Sequence, residues 1–158
     1  MSQPLLSICI PTYNRACYLW RTLNSITTQK GFLFTDLVEI VISDNCSTDG
    51  TEEVCMEFVK KYPDKIRYIK RDVPISGDEN FVFVINQASG KFVKLHNDTC
   101  YVLEDSMSNI INDVQNADEL GAEILKVPVA SEWGIIGNLA GQDFPVYRFL
   151  PHRVKGEG

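Results

Sequence analysis

Asp44, Asp49, His96 and Asp98 are the side chains whose type and spacing could do chemistry. Asp44 follows the apolar run Ile40-Val41-Ile42-Ser43, and Asp49 lies in the polar stretch Asn45-Cys46-Ser47-Thr48-Asp49-Gly50-Thr51. His96 and Asp98 come directly after Phe92-Val93-Lys94-Leu95. Side chains of an extended segment alternate with period two, so His96 and Asp98 would share a face. An imidazole and a carboxylate so placed could address one divalent cation or a phosphate-bound metal. Mg2+ and Mn2+ keep sites for water and ligand phosphates, and manganese tolerates imidazole better than magnesium does. A plainer reading keeps all four residues local. Asp44 and Asp49 would then close an Asx turn and cap a helix, while His96 bonds to a turn and Asp98 caps the segment after it. Of the last pair, Asp98 is the stronger candidate.

The elements that must position these residues alternate along the chain. Residues 5–10 read as a first strand, stopped by Pro11, which cannot donate to a ladder. Leu19, Leu23 and Ile26 repeat at helical spacing and predict a helix over 15–29. A second strand follows at 38–42. Asp49 with Glu52 three places later resembles a capping box for a helix whose buried face is Val54, Phe58, Val59 and Tyr62. A short third strand covers 66–69. Phe81, Val84, Ile85 and Ala88 mark another helix, with Gly90 placed as its C-terminal cap. Phe92–Leu95 is the fourth strand. Leu103, Met107, Ile110, Ile111 and Val114 mark a further helix, and 123–127 a fifth strand. The last thirty residues show no clear periodicity and receive no element. The pattern predicts an α/β fold with a mostly parallel sheet covered on both faces. Ligand sites of such sheets lie at the carboxyl ends of the strands, so Asp44 should project into a cleft.

Composition narrows the function classes. The 158 residues carry a net charge of −6, with 44% hydrophobic and 23% charged residues. These are ordinary globular proportions, and the negative balance excludes a nucleic-acid surface built on clustered Lys and Arg. Neither GxGxxG nor a P-loop is present, which excludes the usual dinucleotide and NTP sites. The five cysteines, at 9, 17, 46, 55 and 100, show no CxxC pair and no zinc spacing. Their odd count and scatter point to a reducing compartment. Without a signal sequence or a membrane-length apolar run, the expectation is a cytoplasmic protein, with loose attachment to a membrane face left open.

Three strand ends together resemble the nucleotide-sugar-binding half of the family 2 glycosyltransferases, which have the GT-A fold. Ser7-Ile8-Cys9-Ile10-Pro11-Thr12-Tyr13-Asn14-Arg15 is similar to that family's opening strand and loop. The Asp-x-x-Ser-x-Asp-Gly-Thr signature is present as Asp44, Ser47, Asp49, Gly50 and Thr51. Ser76-Gly77-Asp78-Glu79-Asn80-Phe81 and Ala88-Ser89-Gly90-Lys91-Phe92-Val93 resemble the segments leading to the metal-binding strand, in the version found in enzymes of bacterial surface polysaccharide assembly. The resemblance covers residues 5–105.

The resemblance implies roles residue by residue. Thr12 and Tyr13 would line the nucleobase and ribose pocket, with Pro11 fixing the turn and Asn14 beside them. Asp44 would accept a hydrogen bond from the base, usually uracil in this family. Asp98 would be the second acidic residue of an Asp-x-Asp motif, binding Mn2+ or Mg2+ on the diphosphate. His96 stands where the first Asp is expected, with Asn97 between them. Asn80 and, more weakly, Arg71 would feed the donor site. The implied function is inverting transfer of a sugar from a nucleotide diphosphate, UDP by family habit, to a hydroxyl of a glycan or lipid-linked acceptor. Residues 1–127 would form the nucleotide-sugar domain and 128–158 the start of an acceptor region or an irregular tail, with the catalytic base beyond Gly158. The alternatives are a non-catalytic nucleotide-sugar-binding module and, more remotely, a doubly wound domain for another phosphate ligand.

Overall fold

The computed structural model describes residues 3–121, 124–127 and 144–148. Its elements run β1 (Leu6–Thr12), α1 (Ala16–Thr27), α2 (Lys30–Leu33), β2 (Val38–Asp44), α3 (Thr51–Lys61), β3 (Ile66–Lys70), α4 (Gly77–Asn86), β4 (Phe92–Leu95), α5 (Ser106–Glu119), β5 (Ile124–Val127) and β6 (Phe144–Arg148). They build one six-stranded sheet in the order β3-β2-β1-β4-β6-β5. Strands β3, β2, β1 and β4 are parallel neighbours, whereas β6 runs antiparallel to both β4 and β5. The mostly parallel α/β expectation holds, and β6 adds a strand in a stretch where periodicity assigns none. Apart from β6, the region expected at 128–158, including Glu132 and Asp143, lies outside the described residues.

Alternation along the central strands decides which helix covers which face. Leu6, Ile8, Ile10, Ile40 and Ile42 point to a large core closed by Leu19, Leu23 and Ile26 of α1, Phe32, Phe58 and the apolar stripe of α5. The opposite face packs Cys9, Val41 and Val93 against Val84 of α4. That second face also buries Ser7, Glu39 and Ser43. Their polar groups are satisfied locally: Ser43 Oγ donates to Asn80 Oδ1 at 2.6 Å. Ser89 N–H and Oγ donate to Glu39 Oε1 at 2.7 Å.

Strand β1 runs through Pro11 instead of stopping there. The His96 N–H donates to the Cys9 carbonyl at 2.8 Å, so residues 9 and 11 address the β4 side. Because β4 ends at Leu95, no ladder bond is required of Pro11, and its missing N–H costs nothing. Helix α1 is also shorter than the predicted 15–29.

Two capping expectations are corrected. No side chain caps α3 in the Asp49–Glu52 manner; Asp49 Oδ2 instead accepts the Ala16 N–H at the start of α1, at 3.2 Å. A true capping box sits on α4, where Ser76 and Glu79 exchange hydrogen bonds. Gly90 is no helix cap, since α4 ends at Asn86 and is closed by Gln87. A glycine is needed there for close approach: a Cβ on Gly90 would lie 2.7 Å from the Ser7 backbone nitrogen and 2.9 Å from the Leu6 carbonyl carbon. Gly90→Ala should therefore destabilise the chain by about 1–3 kcal/mol. A chemical-denaturation midpoint equal to wild type would refute this.

Candidate functional site

The loops after β1 and β2 are tied together by the polar signature itself. Asn14 adopts φ 50°, a left-handed conformation that Asn tolerates well. Its N–H donates to Ser47 Oγ at 2.8 Å, and its Oδ1 accepts the Thr48 N–H at 2.8 Å. The Arg15 N–H donates to Thr51 Oγ1 at 3.1 Å. Thus Ser47, Asp49 and Thr51 act as a clamp on the β1–α1 loop. Asp49 meets the clamp demand rather than a ligand: Thr51 N–H and Oγ1 both donate to its Oδ1, and these bonds hold its carboxyl below the usual range.

The clamped loop forms one wall of a cleft of about 240 Å³, lined by Pro11, Thr12, Tyr13, Arg15, Asn45, Gly77, Asn80, Phe81 and Asp98. Its position follows from topology. From β1 the chain builds β2 and β3 on one side and then returns to place β4 on the other. The crevice at the carboxyl ends where strand order reverses is the expected ligand site of such a sheet. Thr12 ends β1 and Asp98 follows β4, and the Thr12 hydroxyl donates to Asp98 Oδ2 at 2.8 Å. Thr12 is also the register partner of Asp44. Tyr13, Asp44 and Asp98 therefore come together on one side of the molecule.

Asp98 is buried. Burial pushes its carboxyl above the ordinary carboxylate value, against the opposing pull of the Thr12 hydroxyl and the positive charge of Arg15. A desolvated carboxylate of this kind gains from a cation brought beside it. Mg2+ and Mn2+ are commonly held by one or two carboxylates plus phosphates and water, and Asp98 fits that role. Among the described residues no group of three or more His, Cys, Asp or Glu is placed to hold a metal ion. A cation here would depend on its ligand for most of its oxygens.

His96 does not join Asp98, which corrects the shared-face expectation. Strand β4 ends at Leu95, so period-two alternation does not extend through 96–98. The ring turns inward, with Nδ1 3.2 Å from Lys94 Nζ and Nε2 3.0 Å from the Cys100 carbonyl. Burial, reinforced by the Lys94 charge, pushes its pKa down to about 3. A ring with both nitrogens engaged inside the fold does not fit as a metal ligand. Burial likewise brings Lys94 down to about 8.

The other expected site residues divide. Pro11, Thr12, Tyr13 and Asn80 line the cleft, although the Asn80 amide is bound to Ser43 through both Oδ1 and Nδ2. Asn14 belongs to the clamp. Asp44 is fully buried and does not line the cleft; its oxygens accept the Ser47 N–H at 2.9 Å and the Tyr68 hydroxyl at 2.7 Å. Burial and that bond to Asp44 push the Tyr68 phenol up. Asn97 is exposed and closes a turn with the Thr99 N–H and hydroxyl. Arg71 lies over the Phe83 ring at 4.2 Å, in a neighbouring groove rather than in the cleft.

Sequence reasoning missed Arg15, Asn45, Gly77 and Phe81 as lining residues. Phe81 is legible as part of a helix stripe and of the 76–81 segment but not as a lining residue, yet it is 39% exposed. Asn45 carries a usable signal, being a polar residue directly past the strand. Its side chain accepts the Ile75 N–H at 2.9 Å and donates to the Ile75 carbonyl at 2.7 Å, holding the β3–α4 loop against the cleft.

The model of the family described as "Glycosyl transferase family 2" matches residues 7–129. The abequosyltransferase RfbV of Salmonella typhimurium is 39% identical over 104 residues, covering 66% of this chain and 31% of that protein. A GalNAc(5)-diNAcBac-PP-undecaprenol beta-1,3-glucosyltransferase of Campylobacter jejuni is 33% identical over 117 residues, covering 73% of this chain and 35% of that protein. This chain thus spans about a third of the length of these relatives. Among solved structures, S. aureus TarS 1-349 in complex with UDP-GlcNAc superposes with TM-score 0.63 at 25% identity, covering 97% of this chain and 38% of that one. The mannosyltransferase PcManGT of Pyrobaculum calidifontis, in complex with GDP-Man and Mn2+, gives TM-score 0.63 at 20% identity, covering 81% and 37%. That last likeness bears on the fold alone, and the fold is GT-A. With the family match spanning most of its length, this chain belongs to the family 2 glycosyltransferases.

Proposed function

We propose that this chain is the donor-binding part of an inverting glycosyltransferase that takes a sugar from UDP and delivers it to a hydroxyl of a surface polysaccharide or lipid-linked glycan. The observation that carries this reading is the cleft at the β1/β4 reversal, where Thr12 and Asp98 meet at 2.8 Å beside an exposed tyrosine and an arginine. Tyr13, 55% exposed, offers a face on which a base can stack. The relatives named for abequosyl and undecaprenol-linked glucosyl transfer support the reaction class and a lipid-linked acceptor.

The chemistry is a single displacement. The anomeric C–O bond breaks, the nucleoside diphosphate leaves with the bonding pair, and the acceptor oxygen attacks from the opposite face as a base removes its proton. A divalent cation held beside Asp98 would supply electrostatic stabilisation of charge on the departing diphosphate. Asp98 would hold that cation, Thr12 would orient Asp98, and Tyr13 would orient the nucleotide. No described residue is assigned as the base. No described helix is long and apolar enough to cross a membrane; a cytoplasmic site with contact to a membrane face carrying the acceptor belongs to the same proposal.

A second reading, a nucleotide-sugar-binding module without catalysis, is favoured by one observation: among the described residues the cleft is lined by one carboxylate, where the family pattern leads one to expect two acidic positions. Calorimetric titration of UDP with and without Mn2+ tests the site. Binding that tightens with Mn2+ is expected; no response to any nucleoside diphosphate would sink the donor-site reading. Release of UDP from a UDP-sugar on adding acceptor separates the enzyme from the module.

A further inference from the structure

One cleft residue has its backbone held by the polar clamp and its side chain unengaged among the described residues. The N–H groups of Asn14, Arg15 and Ala16 donate in turn to Ser47 Oγ, Thr51 Oγ1 and Asp49 Oδ2. The backbone on both sides of Arg15 is thus fixed against the loop after β2. Among the described residues, its guanidinium makes no hydrogen bond or ion pair. The Asp98 carboxylate feels the Arg15 charge but has its bond from Thr12. A backbone tied down on both sides of a cationic tip without a bonded partner among the described residues is an arrangement that presents the tip to a ligand.

The charge balance of the cleft says what kind. The diphosphate of a sugar nucleotide bears two negative charges and Asp98 adds a third. One divalent cation leaves one negative charge over, which a second, fixed positive charge would offset. A guanidinium is always charged and presents a planar fork of N–H donors that matches two phosphate oxygens at once. Lysine would supply the charge but not the fork.

We infer that Arg15 is a diphosphate-binding residue of this cleft, gripping phosphate oxygens of the donor and of the departing nucleoside diphosphate; this rests on the donor-site reading above. It extends that reading because Arg15 comes from the β1–α1 loop and Asp98 from the segment after β4, so residues of both segments would address the diphosphate.

The test compares UDP with uridine, which shares the base and ribose but lacks phosphate. Affinities for wild type, Arg15→Gln and Arg15→Lys are measured by calorimetry for UDP and by NMR shift titration for uridine, at one ionic strength. Arg15 is exposed, so the ligand-free melting temperatures should agree. Arg15→Gln is expected to weaken UDP binding by about tenfold or more, leave uridine unchanged and flatten the salt dependence, with Arg15→Lys recovering part of the loss. Equal losses for UDP and uridine would mean that Arg15 only shapes the loop, and unchanged UDP affinity would mean that it does not touch phosphate; either overturns the inference alone. Failure of the wild-type chain to bind UDP overturns the donor-site reading and this inference together.

Discussion

Asp98→Asn is expected to raise the melting temperature of the ligand-free chain while abolishing the manganese-dependent part of its response to UDP. The two effects have one cause. Ionised Asp98 is held at a cost, because burial pushes its carboxyl up more than the Thr12 hydroxyl and Arg15 pull it down. For an acid with a raised folded pKa, that cost appears as pH rises through the folded value and persists at neutrality. Asparagine has no charge to desolvate, and its carbonyl still accepts the Thr12 hydroxyl. The same change removes the only carboxylate that lines the cleft among the described residues. At UDP concentrations about a hundred times Kd, ligand binding adds about 2.7 kcal/mol to wild-type stability. For a chain of this size that is a rise of about 5–10 °C. The variant should keep only whatever rise UDP produces without metal. Differential scanning fluorimetry with Mn2+ or a chelator measures both parts, and a variant as manganese-responsive as wild type would end the role given to Asp98.

Glu39→Ala should cost about 2–4 kcal/mol, at a place remote from the cleft. Glu39 is buried on the α4 face, where Oε1 accepts from Ser7 Oγ at 2.5 Å and from the N–H and hydroxyl of Ser89 at 2.7 Å. Its Oε2 pairs with Arg67 at 3.2 Å. The carboxylate joins β1, β2, β3 and the α4–β4 loop, and removing it leaves buried donors without an acceptor. The half-exposed Arg67 contributes least, since solvent screens that pair. Burial alone would raise the Glu39 pKa, but the Ser7 and Ser89 bonds, followed by the Arg67 charge, bring it below the ordinary 4.5. A depressed acid stabilises the fold above its unfolded pKa, and that contribution is lost as pH falls through the lower folded value. Urea unfolding of wild type and Glu39→Gln should therefore differ at neutrality and converge in strong acid. Parallel curves at every pH would refute the ionised hub.

Much of the fold was legible because its signals are local. Strand and helix periods placed the main elements through α5 with shifts of a few residues at the ends, and the two loop motifs identified the family. The misreadings arise where a local signal meets a distant partner. Asp49 and Glu52 have the right spacing for a capping box, but Asp49 divides its oxygens between Thr51 and Ala16, the latter thirty-three positions away, and Glu52 pairs with Lys70. Gly90 has the right place for a helix cap, but the pressure on it comes from Ser7 and Leu6 of β1. Strand β6 was invisible because its pairing with β4 crosses about fifty residues and its own stretch has no periodicity.

Covalent neighbours alone determined which segments are extended or helical, that the sheet is parallel at its centre, and that chemistry gathers past the strand ends. Those properties follow from the spacing of apolar side chains, which every compact arrangement of the chain must respect. Only the tertiary structure decided which side chains face the ligand. Once β4 ends, side-chain direction is no longer set by the pleat but by available partners: His96 turns inward to Lys94 and Cys100. Asp98 turns to Thr12, eighty-six positions earlier, and Arg15 reaches the cleft because residues 47–51 hold its backbone there.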